Sequence, residues 1–294
     1  LMTTVSFAQD WNVDSRTRVD MSEASGAEYQ STDQRATLGA TWGGSDWGIH
    51  VSTEVNYTVN GGDAADLSVY EAYASTNLFG FANMTLGRQA LEYGSGVFIG
   101  TNDWGDRNTA DGATFAIDND FVGLDLGLAQ RDNGDGSDAI DNMWLNASKS
   151  SGDWSVNLFY ATNSENGGDE TNQMGLDFAY SAMGGALDLN VSYNTETSGD
   201  EEGDMMDVSG TYSVNDDMTI TAGRTSVGEN GFDAGGNGNM SGDWSSHGNL
   251  GLLDANQENM YVGGTYNMGA FSLGATMHTI TNTDDDTYER KATS

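Results

Sequence analysis

The chain contains no cysteine, no proline and only 10 lysines and arginines in 294 residues. The first absence excludes disulfides and thiolate metal sites. The second suits a chain that is almost entirely paired strand, because proline cannot donate to a β-ladder. The third, set against 45 aspartates and glutamates, leaves a formal net charge of −35. Such a surface repels nucleic-acid phosphates, so no nucleic-acid partner is expected. Long apolar runs are missing too. No stretch approaches the roughly 18 apolar residues of a membrane helix, which excludes helical spans but not a membrane barrel, whose apolar residues are hidden by alternation.

Alternation is what the chain has instead. In WGIHVSTEVNYTV (47–59), Trp47, Ile49, Val51, Val55, Tyr57 and Val59 share one face, and Gly48, His50, Ser52, Glu54 and Asn56 share the other. The same period of two runs through WSVNLFYA (154–161), ALDLNVSYN (186–194) and FSLGATMH (271–278). Strand follows strand with no helical period between them. There are about 16 such segments (roughly 16–18 at the limits), each near the length a membrane strand needs.

The connections alternate as well. Tight turns are expected at 43–46, 77–80, 118–120, 150–153, 182–185, 215–217 and 267–270. Longer acidic or glycine-rich segments fall between them, at 60–66, 90–112, 132–141, 163–170, 195–204, 227–258 and 281–287. Short turns at one end and long loops at the other are the pattern of an outer-membrane barrel. Trp42, Trp47, Phe121, Trp154, Tyr180, Tyr212, Tyr266 and Phe271 flank the short turns, and Tyr57, Tyr160 and Tyr193 lie near the long loops. Aromatic rings favour the membrane–water boundary, so two girdles are expected. The other face is small and polar, the reverse of a soluble barrel with its apolar interior. It must meet water, so the apolar face must meet lipid. The expected fold is an all-β, transmembrane, antiparallel up-and-down barrel with short periplasmic turns and long extracellular loops. Its partners would be outer-membrane lipid and lipopolysaccharide, with the oligomeric state open between monomer and trimer and the monomer favoured.

The ends carry their own signals. LMTTVSFAQD places Ser6 and Ala8 at the small-residue positions of an export-signal cleavage site. Residues 1–8 are therefore read as the remnant of a signal peptide, and 9–294 as one barrel domain. The chain stops in DTYERKATS (286–294) without an aromatic finish, so its last strand is expected to be cut short.

Candidate pore-lining residues follow from the polar face. Its acids are Asp14, Asp20, Glu54, Asp118, Asp125, Asp177, Asp188 and Asp207. Its bases group at Arg16, Arg18, Arg35 and Lys291, all expected to point inward across the seam of a closed barrel, with Arg131 as a further base. A stripe of that kind would orient charged or dipolar solutes, or else each base pairs with a nearby acid. The stretch LGRQALEYGSGVFIGTNDW (86–104) leaves a strand and begins a long excursion. Gly87 is expected to let the backbone bend, freeing Arg88 from the lipid-facing parity of Leu86. VFIG (97–100) is too apolar for water and is expected to pack on the inner wall, leaving Arg88, Asp103, Asp106, Arg107 and Asp111 at a constriction. The second long segment, 227–258, holds Trp244 and His247 and reads as a lid or a plain surface loop.

YEAY (70–73), the 86–104 stretch and RNTADGATF (107–115) together resemble the alginate-export family of Gram-negative outer-membrane barrels. The resemblance implies an arginine-lined path for an anionic polyuronate, with Arg88 and Arg107 matching the pattern. The inward residues elsewhere are mostly acidic, which implies the opposite balance. The expected function is passive diffusion of small hydrophilic solutes, saccharides or uronates among them. The alternatives are a secreted acidic β-protein, such as a carbohydrate-binding or surface-layer module, and a structural barrel with a plugged lumen. Nothing marks a catalytic nucleophile, so no enzyme is expected, and no cofactor is required. His50, His247 and His278 lack metal-site spacing. The acidic segments 132–138 and 199–204 read as solvated loops rather than calcium sites.

Overall fold

A computed structural model describes residues 8–20, 31–59, 61, 64–101, 107, 109–117, 119, 121–132, 139–165, 170–232 and 253–293. Residues 1–7, which hold most of the signal remnant, lie outside them, as do Asp103, Asp106, Asp118, Trp244 and His247. Every element among the described residues is a β-strand.

The chain divides into two compact units, residues 1–90 with 109–115 and residues 91–108 with 116–294. The first holds β1 (Ala8–Asp20), β2 (Ser31–Gly43), β3 (Trp47–Thr58), β4 (Asp66–Leu78) and β5 (Ala82–Gln89), and most of β6 (Ala110–Ile117). The second holds β7 (Gly123–Asp132), β8 (Ala139–Ser151), β9 (Trp154–Glu165), β10 (Glu170–Ala182) and β11 (Leu187–Ser198). It continues with β12 (Glu201–Asn215), β13 (Met218–Val227), β14 (Gln257–Met268), β15 (Phe271–Asn282) and β16 (Glu289–Thr293). The order in the sheet is the order in the chain, one 16-stranded meander. Consecutive antiparallel pairing keeps each closure short.

The alternation sorts side chains as the residues demand. On β3, Trp47, Ile49, Val51 and Tyr57 stand exposed on one face, while His50, Ser52 and Glu54 are buried on the other. On β10 and β11, Leu176, Phe178, Tyr180, Val191 and Tyr193 are exposed, whereas Gln173 and Asn194 are buried. A sheet that shows its large apolar side chains outside and buries amides inside has lipid as its outer solvent. We call these the outer and inner faces. Most strands are 12 to 15 residues long, more than the 9–11 that cross the hydrocarbon, and the excess carries the aromatic borders. At the short-turn border Trp11 meets Trp42 edge-on with ring centroids 6.5 Å apart.

The tight turns expected at 43–46, 77–80, 150–153, 182–185, 215–217 and 267–270 fall where the sequence places them, the one at 118–120 lies largely outside the described residues, and one expectation is corrected. Residues 195–204 are not a long loop. Ser198 pairs directly with Glu201, and only Gly199 and Asp200 turn between β11 and β12. The segment is polar, but its Thr–Glu alternation still supports a ladder, and polarity above a membrane border does not oppose pairing. β16 pairs with β15 from Glu289 to Thr293.

The lack of native cysteine makes orientation easy to read. A single cysteine at Asp200, on the long-loop side, should react with a membrane-impermeant maleimide on intact cells. One at Gly152, in the β8–β9 turn, should react only after permeabilisation. Equal labelling of both would overturn this orientation.

Candidate pore wall and inserted loop

In the first unit the inner face of β1–β4 is a tied polar network. Arg16 lies directly opposite Arg35 on the neighbouring strand. The Arg35 Nε is 3.8 Å from a Glu54 carboxylate oxygen. Glu54 also accepts from Thr37 Oγ1 at 3.4 Å and from Asn56 Nδ2 at 2.8 Å. With an exposure of 3 %, Glu54 is held by these neighbours rather than offered to solvent. His50 contacts Thr41 Oγ1 at 2.7 Å and stacks on Tyr73 at 5.0 Å. Glu71, 3.5 Å from His50, accepts the backbone N–H of Ala90 at 3.2 Å and so holds the first residue of the long excursion. Arg18 is opposite Asp33 in the ladder, and Arg131 is opposite Ile140; their side chains lie outside the described residues.

The start of that excursion corrects the expectation for Arg88. Gly87 takes φ +130°, and a Cβ there would collide with the carbonyl oxygen of Ala72. Yet the register does not slip: Gly87 stays opposite Tyr73 and Arg88 opposite Ala72. Arg88 therefore keeps the parity of Leu86 and lies on the outer face. It grips Asp111 through two hydrogen bonds, Nε at 2.8 Å and Nη2 at 2.7 Å, so Asp111 is on the outer face with it. On the inner face, Gln89 accepts from Thr114 Oγ1 at 2.9 Å and donates to the Gly112 carbonyl at 3.4 Å. The Gly-Arg-Gln strand end is thus a two-sided clasp between β5 and β6. It closes the base of a long loop whose ends would otherwise be costly to hold together.

Lys291 is corrected in the same way. It pairs with Thr279, on the parity of exposed Met277, and bonds Glu289 at 2.6 Å on the outer face. Arg290, opposite fully buried Ile280, is the base of β16 that has inner parity. A one-residue difference flips the face, and ERKAT contains no large apolar residue to fix the count.

The second unit holds the loop that leaves β5. Val97, Phe98 and Ile99 are all buried, as their composition demands. Phe98 stacks on Phe159 at 5.7 Å and meets Phe232 at 5.8 Å. Tyr93 stacks on Phe159 at 6.0 Å and contacts Trp144 at 6.4 Å. Burial pushes the Tyr93 hydroxyl up to about 12; the Trp144 indole beside it acts the other way, and the Asp125 carboxylate adds to the rise. Gly94, at φ +57°, passes so close to the wall that a Cβ would strike the Asp177 carboxylate. Ser95 then donates its backbone N–H to Asp177 Oδ2 at 3.0 Å and meets the Ser192 hydroxyl at 3.2 Å. Alternation alone could have pointed to this seat. Trp144 and Phe159 are large aromatic side chains on an otherwise polar parity, between Asn142 and Asn146 and beside Asn157. Arg107, the other base carried over by the resemblance, is half-buried in the same excursion, in the second unit.

A model of the Gram-negative porin family matches residues 3–294. The chain belongs to that family. The match takes in the stretch that resembles alginate-export barrels. Among solved structures, the porin is similar to Pseudomonas aeruginosa OccK8 (OprE), with a TM-score of 0.67 and 13% identity over 96% of this chain and 85% of that one. It is similar to P. aeruginosa OccK11 (OpdR), with a TM-score of 0.65 and 12% identity over 93% and 78%. Vibrio cholerae OmpT, in a structure described as a trimer form, gives 0.59 and 12% over 94% and 89%. No curated protein sequence matches the chain. The porin thus has the fold of an outer-membrane β-barrel, is located in the outer membrane of Gram-negative cells, and belongs to a class of channels for small solutes rather than of enzymes.

Proposed function

We propose that this porin passes small hydrophilic solutes by passive diffusion and favours cations over anions. The observation that carries the reading is the charge of the second unit's inner wall. Asp125, Asp177 and Asp207 all have inner parity there, opposite Asn146, Ser192 and Thr225. In the first unit, Arg35 is set against Glu54 at 3.8 Å. The uronate path implied by the alginate-export resemblance requires exposed inner arginines, whereas Arg88 is clasped to Asp111 on the outer face. Neutral saccharides remain compatible with a wall of amides and hydroxyls.

Wall charge acts on ions that pass within the Debye length, about 8 Å at physiological ionic strength. Reversal potentials in planar bilayers should show weak cation preference at low salt that fades at high salt. Arg16→Ala combined with Arg35→Ala should strengthen it. Clear anion preference in the unmodified protein would overturn this reading and restore the polyanion.

A further inference from the structure

The strand register places a set of chemically related side chains on one line across the inner wall of the second unit. Ser148 is opposite Asn157, Asn157 opposite Asp177, Asp177 opposite Ser192, and Ser192 opposite Asp207. Neighbouring strands are about 4.8 Å apart, so the two carboxylates stand about 10 Å apart at the backbone, with a hydroxyl between them. The same five residues are among those that line one cavity of about 470 Å³, together with Ser95 of the inserted loop; Lys149 also borders it, but it stands opposite Val156 on the outer parity, with its ammonium 5.6 Å from the Phe121 ring. That volume suits a small organic solute rather than a bare ion.

The polar groups in this cavity are not all used. Asp177 Oδ2 accepts from Ser95, but among the described residues Asp177 Oδ1 is shielded from water and has no hydrogen-bond partner. The amide nitrogen of Asn157 beside it is in the same condition. A buried carboxylate oxygen without a donor is costly, and a charged donor satisfies it best. Among the described residues, Asp207 accepts on one oxygen, from Thr225 Oγ1 at 2.7 Å and Tyr261 Oη at 3.5 Å.

We infer that this cavity is a binding site for small organic cations that carry N–H donors, guanidinium and primary ammonium groups, held by Asp177 and Asp207 with Ser192 between them. The inference rests on the cation preference proposed above and adds a place and a chemical class to it. A diffuse negative wall attracts every cation alike. A site of fixed acceptors distinguishes a cation that donates hydrogen bonds from one that cannot.

The test uses the whole protein in planar bilayers, carrying potassium chloride current. Guanidinium should block that current in a saturating way, and tetramethylammonium, which has no N–H, should do so about tenfold more weakly, the size expected of a lost charge-assisted hydrogen bond. Asp177→Asn combined with Asp207→Asn should bring the two ions to within about twofold of each other. Asp188→Asn removes an equal charge per site from β11 off this line, where Asp188 is bonded to Ser181, and should leave the guanidinium preference intact. Equal block by the two ions in the unmodified porin overturns the site, and that comparison needs no variant to fold. Loss of preference in Asp188→Asn as large as in the double variant also overturns it. The potassium–chloride reversal potential in the same membranes reads the general selectivity separately. Cation preference without selective guanidinium block refutes the site alone, while anion preference refutes the reading beneath it.

Discussion

Arginine in place of Leu176 should destabilise the folded porin by about 2–4 kcal/mol, the cost of a cationic side chain at the lipid-facing midplane of a barrel. Leu176 is exposed on the outer face of β10, between Leu158 of β9 and Tyr193 of β11. It lies four rungs from Tyr180, whose ring marks the short-turn border. No acid stands opposite it to offset the charge. Arginine in place of Asn190 supplies the control. Asn190 is exposed on the inner face of β11, opposite Ala179 and Ser209, and its neighbours Asp188 and Ser192 are polar. That substitution should cost well under half as much. Urea titration from lipid vesicles, followed by tryptophan fluorescence, measures both. Equal losses would show that the two faces have been assigned the wrong way round.

Side-chain facing separates what the sequence could carry from what it could not. Strand number and turn positions were legible because each strand holds several large apolar residues with a strict period of two, and the glycine- and aspartate-rich tips interrupt it. The seating of Val97, Phe98 and Ile99 was legible because apolar side chains in a polar loop must find cover. The faces of Arg88 and Lys291 were not. Parity is counted from a reference residue, and the count fails where a glycine is assumed to break it or where no apolar residue is present. Gly87 has an unusual φ but leaves the ladder in step. The line from Ser148 to Asp207 was hidden for a different reason. Its members are far apart in the chain and meet only through successive registers, which depend on every turn between them. Asp177 and Asp207 stood in the sequence as two acids among many; the register makes them neighbours across Ser192.

The larger expected change in conduction comes from the loop, not from the wall. Phe98 is 3 % exposed and sits between the rings of Phe159 and Phe232, with Val97 and Ile99 buried beside it. Burying each of these side chains stabilises the seat by about 1.5–3 kcal/mol. No disulfide reinforces it, since the chain has no cysteine. Among the described residues, further ties are the Tyr93 ring against Phe159 and Trp144 and the Ser95 contacts to Asp177 and Ser192. Phe98→Asp removes the apolar contact and places a carboxylate among aromatic rings without a donor, which costs several kcal/mol more. The loop should therefore leave its seat while the strand ladders, which do not depend on it, persist. In single-channel recordings the variant should show larger and noisier conductance steps than the unmodified porin, with the heat-resistant electrophoretic mobility of a folded barrel retained. Phe159→Ala, which removes the floor of the seat from the wall side, should shift conductance in the same direction with a smaller amplitude. Unchanged conductance in both variants, with the barrel intact, would mean that the seated loop does not restrict the path of ions.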